Sequence, residues 1–294
     1  MDWMKHALKQ VLPLNPNEDI VALQAVRGGD IGRSYYVETK ERKLFVKYRT
    51  DLSNLVFQRE AEGLALLRET GALSVPETHY AGEIPEKEGG MIVLEWIEPG
   101  LSRQTTEEEL GRGVAALHQN KSPGGQFGLQ NDNYIGLLPQ PNGWCETWLD
   151  FYLQRRLLPM IELAEERGRL PAARGKRLMQ LAESLERWIP ARSEPSLLHG
   201  DLWHGNWIAG EHGRPYLIDP AVFYGDREYE MAFTELFGGF SARFYAAYEE
   251  CCPLSPEYEE RRPLYQLYYL LVHLILFGES YGSAVDRVLD RYVG

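Results

Sequence analysis

Cysteine is scarce: the 294-residue chain has three, Cys145, Cys251 and Cys252, an odd number with two of them adjacent. That excludes a disulfide framework, and no Cys-x-x-Cys pair is present to start a zinc site. The vicinal pair reads as structural. Basic charge is in deficit as well, with 31 Lys and Arg against 43 Asp and Glu and a formal net charge of −12. Nucleic-acid backbones and anionic lipid surfaces need clustered cations, so neither is expected as a partner. An anionic ligand such as a nucleotide has to be held locally, by single cations, amide groups or a metal ion. Long hydrophobic runs are missing too. The most apolar stretch, "LYYLLVHLILF" from Leu267 to Phe277, carries His273 and is too short to span a bilayer, so it reads as a buried helix. The first residues, "MDWMKHALKQ", lack the apolar core of a secretory signal. No internal repeat or low-complexity tract stands out. The expectation is a soluble, reduced, cytoplasmic globular protein; the composition assigns no oligomeric state.

What is present changes character along the chain. "SYYVETKERKLFVKY" has two β-rich runs joined by a polar turn around 40–43 and predicts a hairpin. "NLVFQREAEGLALLRETG" predicts a helix stopped by Gly71, and "GGMIVLEWIEPG" a buried strand. After Gly100 the pattern turns mostly helical, from "TTEEELGRGVAALHQN" through the segments 144–170, 172–189, 226–250 and 257–292. The shift places a domain boundary near 97–100: a small β-rich lobe over 1–97 and a larger, mostly helical lobe over 98–294, an α+β architecture. Two stretches break the helical trend. One is 121–144, rich in Gly, Pro, Asn and Gln with interspersed aromatics, a long irregular connection of the kind that carries function. The other is "LLHGDLWHGNWIAGEHGRPYLIDP", whose short β runs enclose a cluster of polar groups and a turn at "EHG".

That second stretch carries the chemistry. His199, Asp201 and Asn206 form a His-x-Asp-x-x-x-x-Asn pattern, and Asp219 closes the next apolar run, "PYLID". Each residue alone is an ordinary turn former. Together, at this spacing, they form a phosphoryl-transfer arrangement: one carboxylate to orient the proton of an attacking hydroxyl, an amide oxygen and a second carboxylate to hold Mg²⁺. An ATP site also needs a lysine on a strand, steadied by a carboxylate. Lys47 ends the apolar run "KLFV". On the following helix Phe57, Ala61, Leu64, Ala65 and Leu67 share one face at about 100° per residue, and Glu60 falls on that face while Glu62 falls outside it. A carboxylate aimed at the core needs a cation, and Lys47 is the natural partner. Gly28, Gly29 and Gly32 in "RGGDIGRSYYV" could let backbone amides approach phosphate, although they depart from Gly-x-Gly-x-x-Gly. Glu95, Trp96 and Ile97 of "LEWIE" sit at the boundary, where a two-lobed kinase offers backbone groups to adenine; a plain core strand ending at Pro-Gly reads equally well.

"GGDIGRSYYV", "FVKY", "NDNYIGLLPQPNGW", "LLHGDLWHGN" and "LIDPAVFYGDREYEMAFTELFGGF" together resemble the fructosamine kinase (ketosamine 3-kinase) family, from about residue 20 to the C-terminus. That family has the two-lobed protein-kinase-like fold, beside the aminoglycoside and choline phosphotransferases. "DPA", Asp219 to Ala221, stands where protein kinases have Asp-Phe-Gly. No long regulated loop or Ala-Pro-Glu follows, which favours a small-molecule kinase. The resemblance implies transfer of phosphate from ATP to the 3-hydroxyl of a ketoamine, free or on a glycated protein lysine. The adduct then breaks down and returns the amine, a deglycation repair. It implies Asp201 as catalytic base, Asn206 and Asp219 as Mg²⁺ ligands, and Lys47 paired with Glu60 on the ATP phosphates. It also points to acceptor binding by Trp203 and His204, and by Asn133, Tyr134, Gln140 and Trp144, with Trp148 and Phe151 equally readable as helix core. His199 shapes the loop. Asp226 reads as a helix cap, with Glu228 and Glu230 set in the first turn for the helix dipole. His118, His212 and His273 show no metal-ligand spacing and are assigned no chemistry. Two other readings stay open: an aminoglycoside- or choline-type phosphotransferase with the same machinery, and a nucleotide-binding pseudokinase. The second would be expected to lack Lys47, Asp201, Asn206 or Asp219, and all four are present.

Overall fold

The computed structural model describes residues 2–12, 19–26, 33–190 and 193–294. The chain forms two compact units, Met1–Thr106 with Trp207–Pro220, and Glu107–Asn206 with Ala221–Gly294. The composition shift near 97–100 treats each part as one continuous segment. In the structure the first unit runs on to Thr106 and takes back a later hairpin.

The first unit opens with α1 (Asp2–Val11), an amphipathic helix for which the sequence reading made no provision. Then come β1 (Ile20–Val26), β2 (Arg33–Thr39), β3 (Lys43–Arg49), α2 (Leu55–Thr70), β4 (Thr78–Glu83) and β5 (Gly90–Glu95). The five strands form one antiparallel sheet in the order β1-β2-β3-β5-β4. Successive strand residues face opposite sides. On β3, Leu44, Val46 and Tyr48 enter a cluster with Met4 and Leu8 of α1, Leu12 just after it, and Val37, Met91 and Val93. Lys47 therefore faces the opposite side, where α2 packs on β4 and β5. A one-residue slip would drive Lys47 into the apolar cluster and expose its neighbours, each contributing roughly 1.5–3 kcal/mol by burial. The predicted hairpin, helix and strand are all found. α2 stops at Gly71, whose φ of +63° lets its N–H turn back to donate to Arg68 O at 3.0 Å.

β9 (Trp207–Ala209) and β10 (Pro215–Leu217), numbered in chain order, pair as a hairpin in the register Trp207↔Leu217, with a turn at Glu211–Gly213. Gly100 N–H donates to Ala209 O at 2.8 Å and Leu217 N–H to Ser74 O at 2.9 Å. These bonds tie the hairpin to the first unit.

The second unit holds most of α3 (Gln104–His118), then the hairpin β6 (Asn133–Ile135) and β7 (Leu138–Gln140). Next is a helix that runs as α4 (Trp148–Phe151), a π-helical turn Tyr152–Leu157, and α5 (Leu158–Glu166), followed by α6 (Ala172–Ala182). β8 (Ser196–Leu198) pairs antiparallel with β11 (Phe223–Gly225); α7 (Arg227–Thr234), α8 (Ala242–Cys251), α9 (Tyr258–Phe277) and α10 (Gly282–Tyr292) complete it. The run from Leu267 lies in α9, is buried over most of its length and ends at the exposed Phe277; α9 packs against α5, α7 and α10. Among the described residues no helix is long and apolar enough to cross a membrane. Trp148, Phe151 and Tyr152 are fully buried, the Trp148 ring stacked on Phe151 with centres 5.7 Å apart and tilted against Tyr152 at 5.8 Å. They are core.

Nothing lies within 4 Å of a Cβ built on Gly71, so a side chain there meets only the cost of its left-handed backbone. Gly71→Ala is expected to lower stability by about 1 kcal/mol without changing the denaturant slope, measured by urea unfolding.

Candidate functional site

In the first unit Lys47 and Glu60 meet as the helix face predicted. Lys47 Nζ lies 2.8 Å from Glu60 Oε2 and 2.5 Å from Asp219 Oδ1. Lys47 and Glu60 are buried; the Asp219 side chain is 29% exposed. The hairpin anchored by Gly100 and Ser74 brings Asp219 to a lysine 172 positions earlier. Burial works against the Lys47 charge, but Asp219 and then Glu60 outweigh it, and the ammonium is held well above its ordinary range. Burial, with Asp219 adding to it, pushes Glu60 up despite Lys47. Asp219 itself has a φ of +51°, an uncommon conformation for a non-glycine residue, directly before Pro220.

In the second unit the loop after β8 carries His199, Asp201 and Asn206. Asn206 Nδ2 donates to both Asp201 O and Asp201 Oδ2, each at 2.8 Å, which directs its amide oxygen elsewhere. Asp201 N–H donates to His199 Nδ1 at 3.3 Å, and His199 O accepts Ala221 N–H at 2.9 Å. His199 is thus buried within the loop. Gly200 has φ +82°, and a Cβ there would stand 2.0 Å from Ala221 O. Trp203 is half-buried against Gly205; His204 is exposed, its ring centre 6.2 Å from Phe240.

The loop is fixed by a residue read as a dipole partner only. Glu230 of α7 is fully buried and accepts the N–H groups of His199 (3.1 Å) and Gly200 (2.6 Å). It also bonds His118 Nε2 at 2.9 Å, and His118 Nδ1 meets Tyr248 Oη at 2.8 Å. His118, assigned no chemistry, is therefore a buried brace of this carboxylate. Burial raises Glu230, but His118, the nearby His199 and the Gly200 N–H together hold it below the usual carboxylate range. Tyr269 of α9 donates to Gly200 O at 2.8 Å. Asp226 caps α7 by accepting Glu228 N–H at 2.9 Å and also accepts the Tyr265 hydroxyl at 3.2 Å. Burial, with Glu228 beside it, pushes Asp226 up. Its support goes to the helix, and the loop is held by Glu230, one turn on. That 226-to-230 spacing was the available signal.

Two expected acceptor-binding residues turn out to be structural. Asn133 and Gln140 are buried, and their amides are engaged by each other, by the carbonyls of Val222 and Ala221, by Asn142 and by Tyr268. Polar residues in an irregular stretch look like ligand contacts from sequence, but here they satisfy buried backbone. Tyr134 is half-buried, and Trp144, 37% exposed, stacks on Tyr224 with centres 6.2 Å apart. At the strand end, Glu95 N–H donates to Glu77 O (2.7 Å) and Trp96 N–H to Lys43 O (3.2 Å), so adenine contact by these two residues would use their carbonyls. Ile97 follows them. Gly28, Gly29 and Gly32 lie outside the described residues. Among the described residues no group of three or more His, Cys, Asp or Glu is arranged to hold a metal ion.

The family model of the fructosamine kinases matches residues 4–294. The chain is 41% identical over 268 residues to the "Probable ketoamine kinase" of Enterococcus faecium, covering 91% of this chain and 94% of the other. It is 36% identical over 277 residues to the chloroplastic protein-ribulosamine 3-kinase of Arabidopsis thaliana, covering 93% and 83%. A candidate fructosamine-3-kinase of Thermobifida fusca superposes with a TM-score of 0.87 at 28% identity, over 100% of this chain and 99% of that one. Aminoglycoside phosphotransferase APH(4)-Ia superposes with a TM-score of 0.59 at 19% identity, covering 94% and 96%. That likeness shows the shared kinase-like fold.

Because the folded pKa of Glu230 lies below that of an exposed glutamate, about 4.3, its charge stabilises the fold fully above that value. The contribution is lost as the pH falls through the folded value. Glu230→Gln is expected to lower stability by about 2 kcal/mol at pH 7. The gap from the unaltered protein should narrow below about pH 4, and unfolding midpoints between pH 3 and 8 measure it.

Proposed function

The chain belongs to the fructosamine kinase family, and from that membership we propose how it works. It is a kinase that transfers the terminal phosphoryl group of ATP to a hydroxyl of a ketoamine, the adduct left when a sugar glycates an amine. The relatives named ketoamine kinase and protein-ribulosamine 3-kinase support this acceptor class, and the second name supports the 3-hydroxyl. A phosphate at carbon 3 becomes allylic when the ketoamine enolises toward carbon 1. It then leaves, and water releases the amine, so phosphorylation initiates deglycation. Free ketoamines and glycated protein lysines both present the required group. The observation that carries the reading is the meeting of Lys47 with both Glu60 and Asp219 in a chain matched by this family over 4–294.

Asp201 accepts the proton of the attacking hydroxyl, its carboxylate oriented by Asn206. Lys47, kept charged by two carboxylates, holds ATP phosphate oxygens. Mg²⁺ fits the donor set: Asp219 supplies a carboxylate, and Asn206 an amide oxygen whose nitrogen is already engaged. Lys47, Glu60 and Asp219 also carry one net negative charge that a cation would balance. When bound, Mg²⁺ would neutralise charge on the phosphates. Trp203 and His204, on the same loop as Asp201, select the acceptor, with Tyr134 and Trp144 as further contacts. The three thiols are free, as a reducing compartment keeps them, and the protein acts in the cytoplasm.

With ATP and Mg²⁺, ribulosyl- and fructosyl-lysine are expected to be phosphorylated. Turnover of choline or an aminoglycoside with none of a ketoamine would overturn the substrate assignment. Asp201→Ala should lower kcat by at least ~100-fold, since positioned acid–base groups contribute about that much. Lys47→Ala should act mainly on the KM for ATP. Steady-state kinetics decide both, and an unchanged kcat removes Asp201 from the mechanism.

A further inference from the structure

Arg156, on the π-helical turn, is fully buried and among the described residues makes no ion pair with a carboxylate. Its planes lie over Phe223 and Phe151, 4.0 and 4.5 Å from the ring centres. Its nitrogens donate to Pro141 O (2.5 Å), Arg155 O (2.8 Å) and Asn142 Oδ1 (2.7 Å). From there donation runs one way. Asn142 Nδ2 donates to Asn133 Oδ1 at 2.7 Å, and Asn133 Nδ2 to Val222 O at 2.9 Å. Beside this line, Gln140 Nε2 donates to Asn133 Oδ1 (2.8 Å) and Ala221 O (3.1 Å), while the Tyr268 hydroxyl donates to Gln140 Oε1 (2.8 Å).

A guanidinium and three amides buried together are costly, and apolar side chains of similar volume would often be more stable. Stability alone does not account for them. A carboxylate partner would neutralise Arg156 but could not pass a hydrogen bond onward, because it only accepts. An asparagine does both, so a cation at one end polarises a chain of amides that ends on two backbone carbonyls. Those carbonyls belong to Ala221 and Val222, which follow Asp219 and Pro220, and Ala221 N–H is bonded to His199 O.

We propose that Arg156, Asn142, Asn133, Gln140 and Tyr268 are positioning residues for phosphoryl transfer: they lock the 221–222 backbone. Through it they hold the left-handed turn at Asp219 and the base of the Asp201 loop. The inference rests on the roles given above to Asp201 and Asp219.

Asn133→Asp keeps the shape of the side chain and removes its donor to Val222 O. It should lower kcat roughly 10- to 100-fold, the effect of a misplacement of about 1 Å, with little change in the KM for ATP. Tyr268→Phe, a milder deletion at the edge of the network, should lower kcat several-fold and decides the matter if Asn133→Asp does not fold. Leu289→Ala in α10, buried and no member of the hydrogen-bonded network, is the control of comparable instability and should keep its kcat. Each protein is assayed below its unfolding midpoint, both for ketoamine phosphorylation and for ATP hydrolysis without acceptor, as ratios to the unaltered chain. Folded Asn133→Asp and Tyr268→Phe with undiminished kcat, or an equal fall in Leu289→Ala, overturns the proposal. Absence of ketoamine turnover in the unaltered protein overturns the substrate assignment instead, and the network is then judged on the hydrolysis ratios.

Discussion

Burying a charge requires an answer inside the protein, and both parts of the candidate site are built around such answers. In the first unit one ammonium faces two carboxylates: Lys47 with Glu60 and Asp219. The sum is one surplus negative charge in a place with little water. Burial, with Asp219 adding to it, pushes the carboxyl of Glu60 up, while the two carboxylates keep Lys47 protonated. Under the proposed function that excess would favour a divalent cation carrying phosphates, with Asp219 as one of its oxygen donors and Lys47 beside the phosphate oxygens. A neutral pair would have no such pull.

In the second unit the buried charge is Glu230, and its answer is mostly backbone. Two consecutive N–H groups, His199 and Gly200, end on the two oxygens of one carboxylate. His118 completes the set, and Tyr269 takes the Gly200 carbonyl. With Gly200 pressed against Ala221 O, the loop has little freedom before it reaches Asp201. A carboxylate proposed as a base depends on its placement, so rigidity just ahead of Asp201 adds to the contact that Asn206 makes with it.

How much of this was legible follows from how local each signal is. The Lys47–Glu60 pair was legible, and Asp201, Asn206 and Asp219 could be singled out as candidates, because strand alternation, helix periodicity and motif spacing are short-range patterns. The β2–β3 hairpin and the stop of α2 at Gly71 were legible for the same reason. Glu230 was misread because a glutamate in a first turn is ordinarily a dipole partner, and its use is set by β8, which lies 32 residues earlier. His118 sits on the apolar face of α3 with Leu110 and Val114, at i+8 and i+4, which was a signal that it points inward. Nothing in the sequence names Tyr248 or Glu230 as its partners. Asn133 and Gln140 failed for the opposite reason: amides suit sugar hydroxyls and backbone carbonyls equally, and only the tertiary fold shows which they meet.

The first unit's recovery of 207–220 has a chemical logic. Trp207 and Leu217 are register partners at the open end of the β9–β10 hairpin. Asn206 directly precedes one and Asp219 follows two residues after the other. Both oxygen donors assigned to Mg²⁺ therefore flank one short hairpin, and the chain passes between the compact units at its two ends. The backbone that fixes Asn206 lies in the loop held by Glu230; the backbone that continues from Asp219 is the segment held by the Arg156 network. The second unit thus keeps two buried polar networks where an apolar core would be simpler, one around Glu230 that ends on the His199 and Gly200 amides and one around Arg156 that ends on the Ala221 and Val222 carbonyls.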